Sequence, residues 1–127
     1  MGYGFPHKTI LLVDDEIDFV EGARTVLETA GYEVLSAGDA AGALEAMRGH
    51  EVSLAVLDVN LPDEDGYRLC RQLREQSPQA DLPILFLSVR QDLKDVMFGV
   101  AAGARDFLSK PIGCRQLLGA IERTLAP

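Results

Sequence analysis

Along the chain, short runs of apolar and β-branched residues alternate with longer stretches in which apolar residues return every three or four positions. The short runs are Thr9–Val13, Glu33–Ala37, Leu54–Asp58, Pro83–Ser88 and Asp106–Ser109, which read as five strands. The longer segments are Ile17–Ala30, Ala40–Arg48, Gly66–Gln76, Leu93–Ala102 and Cys114–Leu125, which read as five helices. The first helix sets Phe19, Ala23, Val26, Leu27 and Ala30 on one stripe and sends Asp18, Glu21, Arg24 and Glu28 outward, with Gly31 as its stop. The second starts from Asp39 as N-cap and buries Ala43, Leu44 and Met47. In the fourth, Leu93, Met97, Val100 and Ala104 should face the sheet. Phe98, with Val96 near it, falls toward the outer edge, where an exposed aromatic suits a partner contact.

Five βα units in succession predict an α/β fold: a doubly wound, five-stranded parallel sheet between two helical layers, a three-layer sandwich. The continuously apolar run Leu54-Ala55-Val56-Leu57 fits a strand covered on both faces. Sites in such sheets form at the carboxyl ends of the strands, where the strand order switches. Those ends carry Asp14-Asp15-Glu16, Asp58, Ser88 and Lys110-Pro111.

At 127 residues, with 47% hydrophobic and 25% charged positions, the chain is expected to form a single domain with its core at about 8–125. A net charge of −8 argues against direct nucleic-acid binding or an anionic membrane surface, and the apolar run Ile10–Val13 is too short for a signal or a span. A cytoplasmic location is the expectation. Cys70 and Cys114 have no zinc-site spacing and read as reduced thiols, while His7 and His50 lack ligand partners and receive no role.

Adjacent carboxylates at one strand end and a third at another bring like charges into one crevice, which is costly without a cation. An Asp14/Asp15/Asp58 pocket suits magnesium, which takes one or two carboxylates and keeps waters and phosphate oxygens. Asp63-Glu64-Asp65-Gly66 is too short for an EF-hand; Asp65 with Gly66 reads instead as the turn and cap into the third helix. Lys110 adds a fixed positive charge and Ser88 a hydroxyl. A carboxylate attacks phosphorus when metal and lysine neutralise the transferring group, which points to Asp58 as phosphoacceptor.

The residues resemble the receiver domains of two-component response regulators. The resemblance rests on Leu12-Val13-Asp14-Asp15-Glu16, on Leu57 to Gly66, on the Ser88 strand end and on Gly103 to Pro111, and it spans about Lys8 to Leu125. It implies a flavodoxin-like, chemotaxis-regulator-like sheet in the order 2-1-3-4-5. It also implies that a histidine kinase or phosphotransfer protein phosphorylates Asp58. Asp15 and Asp58 would ligate magnesium, or manganese in its place, directly; Asn60 would do so through its carbonyl and Asp14 through a water. Lys110 and Ser88 would hold the phosphoryl group, Lys110–Pro111 would be cis, and Phe107 would turn inward as Ser88 moves. The output, to a downstream domain or protein partner or through a homodimer, would use the face of the fourth helix, fifth strand and fifth helix. The domain would catalyse only its own phosphorylation and dephosphorylation.

Three positions depart from the family pattern: Val89 follows Ser88 where a small residue is usual, Phe107 has no hydroxyl, and Arg105 stands at an often acidic place. A haloacid-dehalogenase-type phosphotransferase would need an acid two positions after its nucleophile, where this chain has Asn60. A pseudo-receiver, binding partners without phosphorylation, is opposed by the complete set Asp14, Asp15, Asp58, Ser88 and Lys110. The sequence leaves open a stand-alone regulator or a receiver within a longer protein.

Overall fold

The structure, a computed structural model, describes residues 8–77, 81–89, 97 and 103–126. The elements run β1 (Thr9–Val13), α1 (Ile17–Thr29), β2 (Glu33–Ala37), α2 (Ala40–Met47), β3 (Leu54–Asp58), α3 (Gly66–Gln76), β4 (Ile84–Ser88), β5 (Asp106–Ser109) and α4 (Cys114–Leu125). The strands form one parallel sheet in the order β2-β1-β3-β4-β5. The expected helix Leu93–Ala102 lies outside the described residues, as do Phe98 and Val96; of that segment only Met97 is described.

Every residue of β1, β3 and β4 is buried, and successive side chains enter opposite layers. Ile10, Leu12, Val56 and Leu87 pack with Val20 and Leu27 of α1 and with Leu117 and Ile121 of α4. Leu11, Val13, Leu57 and Phe86 pack on the other face with Met47 of α2 and Leu69 and Leu73 of α3. Each layer thus removes large apolar side chains from water at about 25 cal/mol per Å².

Local chemistry sets the element ends. Gly31, at φ 102°, closes α1: its N–H donates to Glu28 O and that of Tyr32 to Leu27 O, a Schellman turn. Ala30 sits in this turn and is exposed, so it leaves the stripe assigned to it, and Val20 takes an inward place instead. Arg24 does not simply point outward: its guanidinium bonds to Val34 O and Ser36 Oγ of β2. Asp39 caps α2 through Gly42 N, and Asp65 caps α3 through Tyr67 N. Pro83 stands outside β4 because it has no N–H for the ladder. Met97 is 62% exposed rather than facing the sheet. Ala104 does pack on the core.

Candidate functional site

The switch in strand order around β1, with β2 on one side and β3 on the other, brings the carboxyl ends of β1 and β3 side by side. Asp14 follows β1 directly; its N–H continues the ladder to Ala37 O, and its side chain is buried. Asp14 Oδ1 accepts from Glu16 N at 2.9 Å. Asp58, the last residue of β3, is also buried, and its Oδ1 accepts from Asn60 N at 3.0 Å. Asp15 is exposed.

Lys110 reaches this cluster from the end of β5. Its backbone N–H donates to Ser88 O, and the Lys110–Pro111 peptide is cis. The ammonium lies 2.7 Å from Asp14 Oδ2, 2.8 Å from Glu16 Oε1 and 3.2 Å from Asp58 Oδ2. Nζ also stands 5.8 Å from the centre of the Phe19 ring, within cation–π range. Burial works against the lysine's charge. Hydrogen bonds to Asp14 and Glu16 and the charges of Asp14 and Asp58 outweigh it, holding the ammonium above the usual lysine range. Burial pushes the Asp58 carboxyl up; the Asn60 N–H and Lys110 pull against that rise, and Asp14 adds to it.

Carboxylate oxygens of Asp14, Asp15 and Asp58 lie within 4.8 Å of one another. Two come from sealed side chains and one from an exposed side chain, leaving the cluster open to water on one side. Buried Asp14 Oδ2 has the Lys110 ammonium, 2.7 Å away, as its partner. An all-oxygen, anionic set with an open side fits a hard divalent cation that keeps part of its water shell.

Ser88 ends β4 and is buried, one position beyond the Asp58↔Leu87 register pair. Val89 follows it and is 66% exposed, at the rim of a pocket of about 260 Å³ whose walls include Glu16, Phe19, Lys110 and Ile112. Phe107 is half-buried; its ring centre lies 5.4 Å from that of Phe86 and 6.3 Å from that of Tyr67. Arg105 is exposed beside β5. His50 is exposed, with Nδ1 3.0 Å from Arg48 O, and His7 lies outside the described residues.

Three contacts at the site were not read from the sequence. Glu16 belongs to the acidic run but serves Lys110 rather than the metal cluster. Asp63 accepts from Ala40 N and Ala41 N, so the loop after Asp58 holds the first turn of α2, and these bonds, the Ala40 one foremost, keep its carboxyl below the usual range. Gly66 packs directly on the backbone of Asp58, where a Cβ would collide with the Asp58 carbonyl oxygen.

Residues 10–122 match the model of the response regulator receiver domain. The chain belongs to this family. It is 42% identical over 118 residues to the transcriptional regulatory protein GltR of Pseudomonas aeruginosa, covering 93% of this chain and 49% of that protein. It is 37% identical over 119 residues to the alkaline phosphatase synthesis transcriptional regulatory protein PhoP of Bacillus subtilis, covering 94% and 49%. The receiver thus spans about half the length of these curated relatives. Among solved structures, the chemotaxis response regulator CheY4 of Vibrio cholerae superposes with a TM-score of 0.87 at 32% identity, covering 94% of this chain and 99% of that one. The response regulator DrrB of Thermotoga maritima, described as an OmpR/PhoB homologue, gives 0.83 at 28%, covering 94% of this receiver and 52% of that chain. Of the two cysteines, Cys70 is buried and Cys114 half-buried. No helix among the described residues is long and apolar enough to cross a membrane.

Proposed function

We propose that Asp58 accepts a phosphoryl group from a histidine-kinase phosphohistidine and that this modification switches the domain. The observation that carries the reading is the Lys110 ammonium laid across buried Asp14 and Asp58, beside a three-carboxylate cluster. Asp14 and Asp15, with Asp58 itself and the Asn60 carbonyl, would hold magnesium or, in its place, manganese. The bound ion would neutralise phosphoryl charge as the transfer proceeds.

The residues of the chain supply the rest. An Asp58 carboxylate oxygen forms the new O–P bond as the donor's P–N bond breaks, and the departing imidazole takes the electron pair. Lys110, already 3.2 Å from Asp58 Oδ2, meets an oxygen of the transferring group, and the Ser88 hydroxyl holds another. Phe107 then moves against Phe86 and Tyr67, and the change emerges on the surface of β5 and α4 and the segment between β4 and β5.

The printed names of GltR and PhoP describe transcriptional regulators. We therefore assign this receiver, in the cytoplasm, to transcriptional control: a histidine kinase or phosphotransfer protein upstream, an output domain or protein downstream, and a homodimer through the β5–α4 face as one form of output. Incubation with magnesium and acetyl phosphate, read by intact mass, tests the acceptor. One phosphoryl gain in the wild type, absent in Asp58→Ala, is the expected result. No gain in either, with the fold and metal binding intact, would favour a binding module that signals without phosphorylation.

A further inference from the structure

Glu16 occupies the N-cap of α1, where a carboxylate is well placed to accept a first-turn N–H and to meet the positive end of the helix dipole. Its side chain makes no such bond. It reaches instead to Lys110, 94 positions along the chain, and takes a hydrogen of Nζ at 2.8 Å. An ammonium has three hydrogens to give. The other neighbours of Nζ are Asp14 at 2.7 Å and Asp58 at 3.2 Å, so the longest of the three contacts is the one to the reacting group. Glu16 is also the outermost partner, its side chain 64% exposed, and it stands outside the carboxylate set that can close on a cation.

We propose that Glu16 is a positioning residue that restrains Lys110 and thereby slows phosphoryl capture at Asp58. The proposal rests on the reading of Asp58 as acceptor. With acetyl phosphate, an Asp58 oxygen bonds to phosphorus while the acetate–phosphorus bond breaks and acetate leaves with the electron pair. No proton moves, and a phosphoryl dianion arrives beside Nζ. The lysine must then give a hydrogen to a phosphoryl oxygen while every hydrogen it has faces a carboxylate. Asp14 is sealed in, so the exchange falls on Glu16 and Asp58. The Glu16 charge at the rim also repels the incoming anion. Both effects have the same sign.

Glu16→Gln keeps length and an acceptor oxygen while removing the charge. The test follows the phosphoryl mass gain with time for the wild type, Glu16→Gln and Asp58→Asn, in magnesium and acetyl phosphate at low and at high salt. Glu16→Gln is expected to react about two- to fivefold faster than the wild type at low salt, the size of a rim ion pair. That gap should shrink as salt rises to about 1 M, where rim charges are screened. Equal rates, or a slower variant, overturn the proposal and leave the acceptor reading standing. An acceleration that survives high salt points to repacking of α1 and overturns it as well. No gain in the wild type, or an equal gain in Asp58→Asn, overturns the acceptor reading and the proposal together.

Discussion

Asp58 is an acid whose charged form the fold makes expensive. Burial is the main cause, Asp14 adds to it, and the Asn60 N–H and Lys110 offset only part. A carboxyl raised in the folded state contributes stability that is fully present below the unfolded carboxylate's value of about 3.9. That contribution is lost as pH rises through the folded value. Asp58→Asn should therefore melt higher than the wild type at neutral pH in chelator, and the gap should close on acidification; scanning calorimetry across pH checks the sign. Val89 acts at the same scale. Its exposed side chain stands on the rim beside Lys110, where it would impede a water approaching the phosphoryl group. Val89→Ala should lose phosphate faster than the wild type, by about two- to tenfold, equivalent to about 0.4 to 1.4 kcal/mol of barrier, measured on the isolated phosphoprotein by intact mass. An unchanged rate would refute the steric account.

At the scale of elements, the βα alternation was legible because period and length separate strands of four or five residues from helices of eight or more. The boundaries of β1, β2, β3, α3, β5 and α4 match the apolar pattern, and Asp39 and Asp65 cap as their positions imply. The acidic strand ends and Lys110 were legible too, because each stands at the carboxyl end of a strand that the pattern marks. What was hidden depends on the third dimension. Ala30 leaves its stripe because the Schellman turn lifts it, and Met97 is exposed where the spacing placed it against the sheet. Gly66 looked like a turn glycine, yet its decisive property is that α3 starts against the Asp58 carbonyl. Gly66→Ala should push the loop off β3 and cost about 1–3 kcal/mol in chemical denaturation, with slower phosphorylation at Asp58. A variant as stable and as reactive as the wild type would show that the loop yields freely.

For the whole molecule, the sheet order places the ends of β1 and β3 together, with the ends of β4 and β5 beyond them, so residues far apart in sequence share one charge balance. A cation that binds only the folded state should stabilise the entire domain, by about 2.7 kcal/mol at a hundred times its dissociation constant. Magnesium should raise the melting temperature of the wild type and leave Asp15→Ala nearly unmoved, since the cluster then loses its exposed carboxylate. The chain contains no tryptophan and three tyrosines. Of these, Tyr67 has its ring centre 4.8 Å from that of Phe86 and 6.3 Å from that of Phe107, the ring assigned to move. The receiver therefore carries its own optical probe: ultraviolet emission from Tyr67 should track the state of Phe107 with no dye and no engineered fluorophore.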